Sequence, residues 1–254
     1  MPMETVKLTR PDEGLAVVSI DRPERRNALD AATAAGVAEA IQEAAAGARV
    51  VILTGEGGAF CAGGDLDEIE RWSTQDPEQV GAVLYETFQG MIRAVRSTAA
   101  IVIAAVSGAA VGAGMDLALA CDLRVAAAGA KLGQVWVRLG LIPGTGGAYL
   151  TQALAGPGRA AELLLTGKIV TAEQALELGL VNRVVEPDDL MREARSMAHE
   201  IMRHPAEGVA ANKRAMIAAT EAAVEAALEH AARVQSQRFV SEEFKNAVRR
   251  ARSG

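Results

Sequence analysis

Short apolar runs alternate with helical patterns along the first half of this chain, and that alternation limits the fold more than any other feature. Leu15–Ile20 reads as a strand and stops at Arg22-Pro23. Residues 27–46 read as a helix, with Ala34, Val37, Ala38, Ile41 and Ala45 on one face. A buried strand follows at 50–53, a helix near 80–95, a strand at Ile101–Val106, a helix opening at Gly112, and a strand at 122–126. Wholly apolar strands separated by helices predict parallel βαβ units with both sheet faces covered, an α/β fold. After about Gly156 helices dominate, at 159–165, 172–178, 190–203, 206–219 and 221–238, with one short strand at 181–185.

Composition narrows the class. The chain has 254 residues, 50% hydrophobic but only 3% aromatic, so its core is aliphatic and alanine-rich. A net charge of −6 argues against a nucleic-acid or anionic-membrane partner. Cys61 and Cys121 stand in unrelated segments without metal-ligand spacing and read as small buried hydrophobes. No apolar run reaches membrane-spanning length, and MPMETVKLTR carries no hydrophobic signal segment, so a cytoplasmic protein is expected.

Two glycine-rich loops follow strands. The first is Gly57-Gly58-Ala59-Phe60-Cys61-Ala62-Gly63-Gly64-Asp65-Leu66, and the second is Gly108-Ala109-Ala110-Val111-Gly112-Ala113-Gly114. Ligands on open α/β sheets collect at the carboxyl ends of strands, so the two loops are placed to meet at one ligand. The helix opening at Gly112 presents unpaired amides in its first turn, which can hold a carbonyl oxygen as it becomes negative. Asp116 lies one turn in. Neither loop carries a dinucleotide fingerprint, a GxxxxGK[ST] phosphate loop or a GxSxG elbow. His199, His204 and His230 all fall in the helical tail and read as solvated, which disfavours a histidine triad or metal site.

A set of motifs in fixed order resembles the crotonase (enoyl-CoA hydratase/isomerase) superfamily over nearly the whole chain. They are Asp21-Arg22-Pro23 with Asn27-Ala28-Leu29, Val51-Ile52-Leu53-Thr54-Gly55, and Phe60-Cys61-Ala62-Gly63-Gly64-Asp65-Leu66. Then follow Ile103-Ala104-Ala105-Val106-Ser107-Gly108, Gly112-Ala113-Gly114-Met115-Asp116-Leu117 with Cys121-Asp122-Leu123-Arg124, and Gly140-Leu141-Ile142-Pro143-Gly144-Thr145-Gly146-Gly147. Leu165-Thr166-Gly167 and Gly179-Leu180-Val181 end the series. The resemblance implies a spiral of ββα and βαβ turns over 1–195 and a helical trimerisation section over 196–254. It implies a homotrimer or homohexamer, and an acyl-CoA thioester as substrate. Coenzyme A enters as part of that substrate; no separate cofactor and no metal are expected.

By the same resemblance, the backbone amides of Gly64 and Ala113 grip the thioester oxygen and favour an enolate. Ala62 aligns with the residue whose carbonyl meets the adenine, and Arg25 is placed to meet a phosphate. Ala28, Gly63 and Gly112 complete the expected substrate-binding set with Trp136. Where many relatives carry a lysine after the Gly-x-Asp element, this chain has Asp67. Trp72, Tyr85 and Phe88 border the acyl side and read chiefly as packing residues.

Hydratases of this kind use two glutamates. Asp116 aligns with the first, and Trp136 stands in place of the second. An indole exchanges no proton at neutral pH; it offers a flat apolar wall and one N–H. The helix dipole lowers the pKa of Asp116, and a dry pocket raises it. Dienoyl-CoA isomerases are similar in having aspartate at this place, but carry a glutamate at the Trp136 position and an aspartate near Gly144. The 4-chlorobenzoyl-CoA dehalogenase shares the tryptophan, yet its nucleophilic aspartate also falls near Gly144, as does an aspartate of the ring-epoxide isomerases. Covalent aryl substitution is therefore not expected here. The resemblance favours 2-enoyl-CoA hydration, with double-bond isomerisation by Asp116 alone as the alternative. A non-catalytic acyl-CoA-binding subunit is the reading of another class.

Overall fold

The computed structural model describes residues 5–253; residues 1–4 and 254, the outer ends of the two expected sections, lie outside the described residues. Strands β1 (Val6–Asp12), β2 (Leu15–Ile20), β3 (Val50–Gly55), β4 (Ile101–Val106), β6 (Leu123–Ala127) and β9 (Arg183–Val185) form one sheet in the order β1-β2-β3-β4-β6-β9. β1 runs antiparallel to β2, and the other pairs are parallel. A smaller sheet joins β5 (Ala109–Val111), β7 (Lys131–Gly133) and β8 (Ile169–Thr171). The helices are α1 (Ala31–Ala45), α2 (Leu66–Trp72), α3 (Pro77–Val83), α4 (Gln89–Ser97), α5 (Ala113–Ala120), α6 (Gly147–Ala155) and α7 (Pro157–Thr166). They continue with α8 (Ala172–Glu177), α9 (Leu190–Met202), α10 (Ala206–Ala218), α11 (Glu221–Phe239) and α12 (Glu242–Ser253).

The parallel strands are apolar at successive positions because both faces are covered. Val18, Ile20, Val51, Leu53, Val102 and Ala104 share a core with α1 and α4. The alternate residues Leu15, Val17, Val50, Ile52, Ile101 and Ile103 pack under Leu190, Ala194, Met197 and Ala198 of α9. The 195/196 boundary expected between core and tail falls inside α9. The helix expected at 27–46 starts only at Ala31, with Asp30 as its N-cap accepting from Thr33 N–H at 2.7 Å. The helix expected near 80–95 is α3 and α4 joined through one π-turn at Leu84–Phe88.

The tail turns back onto the core. Gln89 Nε2 donates to Gly144 O and to Leu228 O of α11, at 2.8 and 2.7 Å. Trp72, Phe88, Phe239 and Phe244 form an edge-to-face aromatic chain with centroids 5.1–5.5 Å apart. Trp72 and Phe88 are thus packing residues, while Tyr85 is exposed beneath the Arg93 guanidinium. Among the described residues no helix is long and apolar enough to cross a membrane.

Candidate active site

The two glycine-rich loops lie side by side. Phe60 N–H donates to Ser107 O, Cys61 N–H to Ala109 O, and Val111 N–H to Cys61 O, at 2.7, 2.9 and 3.1 Å. Gly114 is small for a reason: a Cβ there would stand 2.2 Å from Cys61 O. Its bare backbone lets the start of α5 close on the 61–64 segment. Gly112 precedes α5 at φ +55, a conformation that favours glycine, and the Trp136 ring lies 3.6 Å from where its Cβ would be. Gly63, at φ +99, places its own missing Cβ 3.9 Å from the Ala113 nitrogen. Among the described residues, the amides of Gly64 and Ala113 donate to no backbone acceptor. Two unclaimed N–H groups therefore stand on neighbouring segments at the mouth of a helix, the arrangement that an oxyanion needs.

Asp116 is completely buried. Its Oδ1 accepts from Gln134 Nε2 at 2.8 Å and its Oδ2 from Thr145 Oγ1 at 2.6 Å. The Gly147 amide and the Trp136 indole N–H also face the carboxylate and favour its charged form. The indole N–H closes no hydrogen bond. Burial outweighs these donors and raises the pKa from 3.8 to about 6. A Cβ at Gly147 would fall 1.8 Å from Asp116 Oδ1, so only glycine at 147 leaves room for this carboxylate.

The remaining expected residues divide. Arg25 sits in a turn at Pro23–Arg25 and pairs with Asp67 at 2.9 Å, both partly exposed. Ala28 accepts Arg22 Nη1 through its carbonyl, and its neighbour Leu29 bridges to Gly64. Ala62 N–H is held by Arg26 O. Glu68, a carboxylate within reach of the loop, caps α1 by accepting Ala31 N–H at 2.9 Å, and Glu86 is exposed. The three histidines are exposed, His199 and His230 on helices and His204 in the bend between α9 and α10. Both cysteines are buried, and desolvation pushes each thiol up to about 12.

Several supporting residues are not apparent from sequence. Thr145 and Gly147 lie within the 140–147 motif and Gln134 two residues before Trp136, yet nothing in their spacing says that they meet at Asp116. Arg22 pairs with Asp30 and Asp65 at 3.1 and 3.2 Å and so ties the two sides of Gly64 together. Asn27, buried at φ +58, accepts Arg22 N–H and donates to Glu56 O and Ala59 O. It fixes the base of the first loop. A surface hollow of about 790 Å³ lined by Met191, Arg192, Arg195 and His199 lies on α9 and touches none of these groups. Among the described residues no three His, Cys, Asp or Glu side chains gather as a metal site.

A pair of unclaimed amides on two adjacent loops of a parallel sheet, with a buried carboxylate on the helix that follows, is an arrangement suited to a developing oxyanion. The sequence profile of the enoyl-CoA hydratase/isomerase family matches residues 10–251. A probable enoyl-CoA hydratase of Rhodobacter capsulatus is 36% identical over 236 residues, covering 93% of this chain and 90% of that protein. The short-chain-enoyl-CoA hydratase of Clostridium acetobutylicum is 35% identical over 237 residues, 92% and 89% of the two chains. The crystal structure of an enoyl-CoA hydratase/isomerase from Mycobacterium paratuberculosis superposes with a TM-score of 0.89 at 31% identity, covering 97% of this chain and 98% of that one. The chain belongs to the enoyl-CoA hydratase/isomerase family, and its fold is the crotonase fold expected from the motifs.

Proposed function

We propose that this enzyme binds an acyl-CoA thioester with its carbonyl oxygen between the amides of Gly64 and Ala113, and hydrates a 2-enoyl group. The unclaimed amides of Gly64 on the first loop and of Ala113 at the start of α5 carry this reading. They stabilise charge that grows as the thioester passes to its enolate, which lowers the barrier more than it strengthens substrate binding. Asp116 is the proton-transfer group, acting in its charged form. A pKa near 6 leaves it mostly ionised at neutral pH yet close enough to exchange protons. Trp136 closes one side of the pocket. Arg25, Ala28, Ala62, Gly63 and Gly112 form the surrounding thioester and coenzyme A contacts. The coenzyme is part of the substrate, and no other cofactor is needed.

The lone carboxylate favours a second reading. Hydration calls on one group for water and one for C2, whereas isomerisation moves a single proton, and Asp116 with Trp136 supplies one exchanging group. Assays with crotonyl-CoA and with a 3-enoyl-CoA separate the two. With the substrate that turns over, Asp116→Asn is expected to lower kcat/KM by roughly 100-fold or more. The wild-type rate should rise with pH through about 6, the pKa of Asp116. Full activity in the variant, or a rate that falls over this range, sinks the assignment. A cytoplasmic homotrimer or homohexamer completes the proposal, in keeping with the exposed Met216 on α10 and Leu165 on α7.

A further inference from the structure

α11 carries a buried side chain with no task in the scheme above. Gln235 is fully buried, and its Oε1 accepts Ile142 N–H at 2.9 Å. Its Nε2 has no acceptor. The amide cannot be turned over to remedy this, because Nε2 would then face the Ile142 N–H, donor against donor. A buried donor left without a partner costs free energy comparable to a lost hydrogen bond, so this amide is stable only if something else gains from it.

Its position says what. A Cβ at Gly144 would stand 3.0 Å from Gln235 Nε2, so the amide fills the space over Gly144 that a side chain would take. The next residue, Thr145, holds Asp116. On the same turn of α11, Ser236 Oγ lies 3.5 Å from the missing Cβ of Gly81, and the Phe239 ring is 5.1 Å from Trp72. This turn therefore bridges the α2–α3 segment, which follows directly on Gly64, and the 142–147 loop, whose Thr145 holds Asp116. On the thioester reading above, an acyl group held at Gly64 and Ala113 would extend between those two walls. A second buried donor without an acceptor, the Trp136 indole N–H, faces the same carboxylate.

We propose that Gln235 is a specificity-determining residue, donating its free Nε2–H to a hydroxyl or oxo oxygen on the acyl group. The enzyme then prefers oxygenated acyl-CoA thioesters to plain alkyl ones, and the preference is set by the C-terminal helix rather than by the catalytic loops. This rests on the thioester reading above.

Calorimetric binding of butyryl-CoA, 3-hydroxybutyryl-CoA and acetoacetyl-CoA tests it. The wild type should bind at least one oxygenated ligand about tenfold more tightly than butyryl-CoA. Gln235→Met removes the donor at similar size and should bring that ratio near one. Gln235→Glu keeps an acceptor for Ile142 N–H while removing the donor, and should do the same; it stands in should the first variant not fold. A loss of helix packing alone would weaken all three ligands together and leave the ratio unmoved. No preference in the wild type, or an unchanged ratio in a folded variant, overturns the role of Gln235 while butyryl-CoA binding keeps the thioester site. Failure of the wild type to bind any of the three overturns both.

Discussion

At Asp116 two effects oppose each other, and their balance has a visible consequence. Desolvation disfavours the charge; Thr145, Gln134, Trp136 and the Gly147 amide favour it; desolvation wins, and the pKa stands near 6 instead of 3.8. The folded state thus holds its proton more tightly than the unfolded chain. The stability this group contributes is complete below about pH 4 and is lost as pH rises through about 6, on the order of 3 kcal/mol. Asp116→Asn removes that dependence while keeping the shape: the amide oxygen faces Gln134, and its NH₂ faces the Thr145 hydroxyl. Urea unfolding at pH 4 and pH 7 should show the variant gaining on the wild type as pH rises. An equal difference at both pH values contradicts the shift. The charged form that the proposed function uses is therefore held against a folding cost, as buried functional carboxylates often are.

Among the elements, α10 is fastened by one side chain. Lys213 is buried, and its Nζ donates to Asp122 Oδ2 at 2.7 Å, Ala100 O at 2.8 Å and Val95 O at 3.3 Å. Asp122 also accepts Val102 N–H, so this ammonium joins the tail to the junctions around β4 and β6. Lys213→Met leaves a shielded carboxylate and two carbonyls without their donor and should cost roughly 3 kcal/mol. Thermal unfolding measures this, and a change within a few tenths of a kcal/mol refutes it. Nothing in sequence marks Lys213, because a lysine on a tail helix ordinarily points to water. The strands β2, β3 and β4 were legible since each is a full apolar run. β5, β7 and β8 span three residues each, too few for any period to register, and β1 alternates properly but is interrupted by Pro11. The meeting of the two loops that bear Gly64 and Ala113 was legible through their glycines. Gln235, Gln134 and Lys213 were not, since the partners that give them meaning are brought close only by the fold.

For the molecule as a whole, the question is whether the helical tail is a separate body. Phe239, Phe244 and Val248 belong to the same core cluster as Val18, Leu53 and Trp72. Gln89 and Lys213 span the two sections by hydrogen bonds. Removing 206–254 would uncover the aromatic chain at Trp72 and the 142–147 loop together, and with them the wall that Gln235 builds over the site. The tail and the spiral therefore share one core, and unfolding should be a single transition in which calorimetric and van't Hoff enthalpies agree. A chain ending at Pro205 should lose stability outright rather than keep a folded core. Both tryptophans, Trp72 and Trp136, are buried in the intact protein, so their emission reports the outcome. A red shift in the shortened chain at a temperature where the full chain is folded supports one cooperative body. An unshifted spectrum with a retained melting transition would show that the spiral stands alone.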